Sequence, residues 1–152
     1  MIRAIERIIS GGQTGVDRAA LDAALELGLP CGGWCPKGRL AEDGQIPAHY
    51  PLRETPAEDY AERTEWNVRD SDGTLVLTWG PPSGGTGFTI SCARQLAKPV
   101  IVVDLKSSPD PREVLAWIES NAVNTLNVAG PRASHDRRIY RSALAFLLAI
   151  FH

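Results

Sequence analysis

The chain has 152 residues, of which 43% are hydrophobic and 22% are charged, values typical of one globular domain spanning residues 1–152. Its formal net charge of −2 argues against a general nucleic-acid binder and against a protein of anionic membrane surfaces. No apolar run approaches the roughly 20 residues of a membrane span, and residues 1–7 carry charge where a secretory signal would be apolar. We therefore expect a cytoplasmic protein without membrane contact.

The three cysteines, Cys31, Cys35 and Cys92, leave at least one thiol unpaired. Their spacing matches neither a Cys-x-x-Cys redox motif nor a zinc site with a second ligand pair downstream. We expect buried, reduced thiols, with a metal or redox role as the alternative.

An apolar segment that ends in glycines opens the chain. Residues 6–10 predict a first strand, and the glycine turn after it leads directly into a helix predicted at Val16–Leu27 and ended by Gly28. Strand, glycine turn and helix can form an anion site, because the first N–H groups of the helix lack intrahelical partners. The alternative is a tight turn that binds no ligand.

The next part of the chain contains one unusually long loop. Residues 31–35 predict a second strand, and residues 36–47 form a loop dense in charge and glycine. Loops of this length in a compact domain are usually functional or disordered, and we expect this one to fold over the glycine-rich edge of the sheet. Residues 57–70 predict a helix that Pro56 opens and Thr55 caps.

The second half of the chain alternates strands and helices. Strands are predicted at residues 74–79, 100–104 and 125–129, and helices before residue 97, at residues 111–121 and at residues 134–150. This alternation predicts a single three-layer α/β domain with a mainly parallel sheet of at least five strands and helices on both faces.

Three of the predicted strands are followed by glycine-rich loops, at residues 11–15, 80–87 and 130–131. The carboxyl ends of parallel strands lie at one edge of a sheet, where α/β proteins bind ligands. None of these loops contains a Walker A sequence or the dinucleotide Gly-x-Gly-x-x-Gly. We favour a phosphate-bearing ligand at this edge over plain turns.

Charged and polar side chains near these loops could complete the site. Lys37 and Arg39 could pair with phosphate oxygens, and Arg132 lies between a glycine loop and a helix. The alternatives are a solvated charged surface and, for Asp17, a helix-capping role. The sequence shows no catalytic triad, metal cluster or spaced carboxylate pair. The predicted ligand-binding residues are Ser10, Gly11, Gly12, Gln13, Thr14, Gly15, Asp17, Lys37, Arg39, Glu42, Asp72, Gly84, Gly85, Thr86, Gly130, Arg132 and Ser134.

The final helix predicts a homo-oligomer. Its apolar residues, which run from Ile139 to Phe151, cover more of the circumference than the stripe of about 100° that a surface helix needs. Deep burial within the monomer is the alternative.

Five motifs in chain order resemble the molybdenum carrier family over nearly the whole chain: residues 10–17, 35–44, 70–74, 84–86 and 126–134. The family is a circularly permuted, YpsA-like branch of the Rossmann-like SLOG superfamily. The resemblance implies a Rossmann-like domain that binds molybdenum cofactor, a phosphorylated pterin, without chemistry and that oligomerises. Beyond molybdenum cofactor itself, we also expect that a nucleotide-like molecule could be the ligand.

Two relatives of that family supply alternative functions. Lonely-guy-type enzymes are nucleoside monophosphate phosphoribohydrolases and carry a glutamate shortly after the Gly-Gly-x-Gly-Thr loop, whereas residues 85–91 here contain no carboxylate. DprA-type proteins bind single-stranded DNA and share the residue 10–17 pattern, but this chain lacks interleaved basic and aromatic residues. Release of a free base or salt-dependent retention of oligonucleotides would identify these alternatives.

Overall fold

A computed structural model describes residues 4–152. Its strands and helices alternate as the sequence predicts, except between residues 31 and 54, where five short strands follow one another. In chain order the elements are β1 (Arg7–Ile9), α1 (Val16–Leu27), β2 (Cys31–Gly32), β3 (Trp34–Cys35), β4 (Leu40–Ala41), β5 (Gly44–Gln45), β6 (Arg53–Glu54), α2 (Tyr60–Arg69), β7 (Gly73–Thr78), α3 (Gly84–Gln95), β8 (Val100–Asp104), α4 (Pro111–Ser120), β9 (Thr125–Ala129) and α5 (Ile139–Phe151).

The central sheet has five strands in the order β2-β1-β9-β7-β8. Every neighbouring pair in this sheet is parallel, which confirms the predicted sheet. Strand β9, the last in the sequence, lies between β1 and β7. The strand order therefore reverses around β9, and the loops after β1, β7 and β9 meet at one edge.

Helices cover both faces of this sheet because the side chains of each strand alternate between them. Leu75 and Leu77 of β7 pack into the large apolar core together with residues of α1, α4 and α5. On the other face, Val68 of α2 packs against Cys92 of α3 in a smaller cluster. The result is the predicted three-layer, Rossmann-like α/β domain.

Helix α5 is packed within the monomer. Ile139, Ala143 and Leu147 are fully buried in the large core, where they meet residues of α1 and α4. This burial explains the apolar surface of the helix, so the oligomer predicted from it stays a prediction, to be tested by light scattering at high micromolar concentration.

The prediction of one continuous strand at residues 31–35 is wrong, because this segment forms two separate strands. Gly33 has a φ of 129°, and an added Cβ would lie 2.2 Å from the Ser10 carbonyl oxygen. The chain turns there, so β2 joins the central sheet while β3 pairs with β6 outside it. Only glycine combines this φ with such a close backbone approach.

Two predicted helix starts are also wrong. Helix α2 begins at Tyr60, because the Asp59 carboxylate accepts a hydrogen bond from the Ala61 N–H at 2.6 Å and caps it. The Thr55 hydroxyl instead donates to the Ala57 carbonyl oxygen. Helix α5 begins at Ile139, since the preceding segment Ala133–His135 is a separate 3-10 turn.

All three cysteines are free, as predicted, with Cys35 and Cys92 buried and Cys31 half-buried. Within residues 4–152, no helix has the length and apolar character needed to cross a membrane.

Candidate functional site

A cavity of about 520 Å³ opens at the carboxyl ends of β1, β9 and β7, and α2 and α3 contribute to its walls. This volume is within the range of small-molecule sites, about 300–1,000 Å³. All three glycine-rich loops contribute residues to its lining, as the sequence predicts. The predicted site residues that line it are Gly11, Gln13, Asp17, Gly84, Gly85, Thr86, Gly130, Arg132 and Ser134.

The amino end of α3 provides the most open part of the lining. A Cβ added to Gly84 or Gly85 would meet no atom within 4 Å among the described residues. Ser83 precedes the helix but its hydroxyl makes no capping hydrogen bond. The N–H groups of Thr86 and Gly87 donate to the Ser83 carbonyl oxygen, whereas those of Gly84 and Gly85 have no acceptor among the described residues. Two free N–H groups and the positive end of the helix dipole therefore lie at the cavity, which suits an anion.

Arg132 adds a positive charge at the cavity. It makes no salt bridge in the described part of the chain, and its guanidinium lies 5.8 Å from the centre of the Tyr60 ring. Its donors are thus available to an anionic ligand, and arginine can bind phosphate with two parallel hydrogen bonds.

A buried ion pair forms part of the cavity wall. Arg63 Nη1 lies 2.8 Å from Asp17 Oδ2, and the two side chains are 12% and 6% exposed. Burial raises the pKa of the Asp17 carboxyl, and the attraction and hydrogen bond of Arg63 oppose that rise. The capping role considered for Asp17 is wrong, because the N-cap of α1 is Gly15 and no side chain caps this helix. The Asp17 carboxylate instead anchors Arg63 at the cavity.

Helix α2 contributes four polar residues to the cavity that were not predicted from the sequence. Tyr60, Arg63, Thr64 and Asn67 all line the cavity. They are spaced i, i+3, i+4 and i+7, so they form one face of the helix. These polar residues occupy the helical spacing at which apolar residues of a buried face are normally found, and this pattern in the sequence could have identified them.

Two glycines of the first loop serve packing within the protein. A Cβ on Gly12, where φ is +79°, would lie 2.5 Å from Leu52 Cδ1. A Cβ on Gly15 would lie 2.3 Å from the Pro131 carbonyl oxygen. We expected Gly12 to leave room for a phosphate, but side chains of the protein occupy that space. Ser10 is likewise internal, since its hydroxyl donates to the Asp17 carbonyl oxygen at 2.8 Å.

The loop at residues 36–47 folds over the glycine-rich edge, as predicted. Glu42 accepts hydrogen bonds from the hydroxyls of Thr14 and Ser134. Burial disfavours the charged carboxylate, but the hydrogen bonds from Ser134 and Thr14 outweigh it and lower the pKa of Glu42. A second contact joins the loop to helix α1, because Asp43 forms an ion pair with Arg18 at 2.7 Å.

The predicted site residues that do not line the cavity are Ser10, Gly12, Thr14, Gly15, Lys37, Arg39, Glu42 and Asp72. Three of them, Arg39, Lys37 and Asp72, have other partners or positions. The Arg39 guanidinium donates to backbone carbonyls of its own and the following segment, including Pro47 at 2.7 Å and Tyr50 at 3.0 Å. Lys37 is exposed on the same loop. Asp72 lies at the opposite edge of the sheet, where its carboxylate accepts from the Thr125 N–H at 2.8 Å.

A glycine-lined cavity at the point where a parallel sheet reverses its strand order defines a Rossmann-like domain with a candidate small-molecule site. A family model described as "Circularly permutated YpsA SLOG family" matches residues 8–151. The chain belongs to this family, in agreement with the motifs of its sequence.

A solved structure is similar to this chain over nearly its full length. It is the crystal structure of a protein named "Putative molybdenum carrier protein" from Syntrophus aciditrophicus SB. The sequences are 47% identical, the alignment covers 98% of this chain and 96% of that chain, and the TM-score is 0.93. The search of curated proteins found no match.

Proposed function

We propose that this protein binds a phosphorylated small molecule in the cavity between α2 and α3. The observation that carries the proposal is the open amino end of α3. Apart from the chain neighbours and the adjacent backbone of the helix, no atom of the described residues lies within 4 Å of a Cβ placed on Gly84 or Gly85. Arg132 lines the same cavity and has no salt-bridge partner among the described residues. Helix dipole, free N–H groups and arginine favour a phosphate monoester.

We further propose that the carried molecule is molybdenum cofactor, whose pterin bears a phosphate. The support is the name of the 47% identical crystal structure, together with a cavity of about 520 Å³. We also propose a cytoplasmic location, because the three cysteines are free and free thiols are typical of reducing compartments.

Binding without hydrolysis is better supported than a phosphoribohydrolase. Asp17 is the one carboxylate in the described lining of the cavity, and it is held in an ion pair with Arg63. A general acid or base must reach the atom that receives or loses the proton, and this carboxylate is 6% exposed.

Isothermal titration with molybdopterin and with nucleoside monophosphates tests the proposal. Arg132→Met should weaken binding about tenfold to a hundredfold, because it removes a charge-assisted hydrogen bond of about 1.5–3 kcal/mol. Arg137→Met is the matched control, since Arg137 is exposed on the same segment and does not line the cavity.

Three results would contradict the proposal. Equal affinities of wild type and Arg132→Met would place the phosphate elsewhere. Release of free base from a nucleoside monophosphate would show hydrolysis. Salt-dependent retention of oligonucleotides, with no binding of small phosphorylated molecules, would favour the nucleic-acid alternative.

A further inference from the structure

Two donors at the wall of the cavity have no hydrogen-bond partner in the described part of the chain. They are the side-chain nitrogen Nε2 of Gln13 and Nε of Arg63. Both atoms are buried, and both residues line the cavity. An unpaired buried donor costs about 1–3 kcal/mol, and buried donors normally find a partner in protein atoms or in ordered water. A ligand in the cavity would supply the acceptor that these two donors lack.

The orientation of the Gln13 amide is determined by its neighbours. Its oxygen Oε1 accepts hydrogen bonds from the Thr14 N–H at 3.0 Å and from the Glu42 N–H at 2.8 Å. These two donors require the oxygen on their side, so the NH₂ group occupies the other position. With Gln13 only 5% exposed, the amide is held in place as a donor.

These donors are separate from the amino end of α3. Gln13 follows β1 and α3 follows β7, with β9 between the two strands. Adjacent strands are about 4.8 Å apart, so the carboxyl ends of β1 and β7, from which the two loops start, are separated by roughly 10 Å along the sheet edge. That separation is comparable with the span from the phosphate to the far ring edge of a nucleoside monophosphate.

We propose that Gln13 and Arg63 form a second subsite that selects a heterocycle with a ring carbonyl oxygen, while the phosphate of the same ligand lies at the amino end of α3. This inference rests on the proposed function. Two donors favour a keto oxygen, which accepts, and disfavour an exocyclic amino group, which donates. The ligand class is therefore a phosphorylated keto heterocycle, such as an oxopurine or a pterin.

Inosine and adenosine monophosphates form a matched pair of probes, because they differ at the ring position that carries an oxygen or an amino group. Isothermal titration of the wild-type protein should give at least tenfold tighter binding of inosine monophosphate, as expected for one well-formed hydrogen bond against an unpaired donor. Equal affinities would overturn the inference.

Gln13→Glu tests the residue itself. A carboxylate can still accept the hydrogen bonds from Thr14 and Glu42, but it replaces the NH₂ donor by an acceptor. The preference for inosine over adenosine monophosphate should disappear or reverse, with folding checked by circular dichroism. Gln45→Glu makes the same charge change at an exposed position of β5 and should keep the preference. An unchanged preference in Gln13→Glu would also overturn the inference.

Inorganic phosphate separates failure of this inference from failure of the proposed function. If wild type binds phosphate at the cavity but binds neither nucleotide, the second subsite is wrong and the phosphate site stands. If neither phosphate nor any phosphorylated probe binds, both proposals fall.

Discussion

Gly12 and Gly85 lie in two glycine-rich loops of the same sheet edge, and the structure predicts opposite consequences for the same substitution. Gly12→Val places a branched side chain where a Cβ alone would lie 2.5 Å from Leu52 Cδ1 and 2.9 Å from Ile46 Cδ1. Gly85→Val places it in the cavity, where a Cβ has no neighbour within 4 Å among the described residues. The first change disturbs the core, and the second disturbs the proposed ligand site.

The destabilisation by Gly12→Val has two parts. Overpacking of a core costs about 1–3 kcal/mol, and a side chain at the positive φ of +79° costs a further 1–2 kcal/mol, roughly. The total of about 2–5 kcal/mol should lower the Tm by roughly 4–20 °C at about 2–4 °C per kcal/mol for a chain of this size. Gly85→Val should change stability by less than about 0.5 kcal/mol.

Differential scanning calorimetry and titration with a phosphorylated ligand measure the two effects. We expect a lowered Tm in Gly12→Val, and a near-wild-type Tm with lost binding in Gly85→Val. A Tm of Gly12→Val within about 2 °C of wild type would refute the packing argument. Full affinity in a folded Gly85→Val protein would refute the placement of the phosphate.

Two further predictions concern ionisable groups. Arg63→Met should lower the free energy of unfolding by about 3–5 kcal/mol, because it leaves a buried carboxylate unpaired. In urea unfolding, the double variant Asp17→Asn/Arg63→Met should recover most of this lost stability. A double variant no more stable than Arg63→Met would contradict the role of the ion pair. Burial and the hydrogen bond donated to Asp22 raise the pKa of Tyr140 from 10.0 to about 12. The folded protein therefore holds this proton more tightly than the unfolded chain, so the stabilisation is complete below pH 10.0 and is lost as the pH rises through about 12. Tyr140→Phe should flatten the dependence of stability on pH in that window, and an unchanged slope would contradict the assignment.

The order of the elements and the sheet edge that carries the cavity could be predicted from the sequence. Buried runs such as residues 74–79 alternate with helical patterns, and such alternation favours a parallel sheet. A parallel sheet brings the carboxyl ends of its strands to one edge, so the glycine loops after β1, β7 and β9 had to meet there. These conclusions depend on local periodicity and on a general rule of chain topology.

The particular side chains of the cavity were decided by tertiary packing. Asp17 and Arg63 are 46 positions apart and meet only because α2 packs beside the loop after β1. Arg39 has the chemistry of a phosphate ligand, yet its donors are used by backbone carbonyls that the sequence cannot place beside it. Gly12 and Gly85 look alike in the sequence, but only the three-dimensional neighbours of each glycine determine whether a missing side chain leaves room for a ligand or for the protein itself.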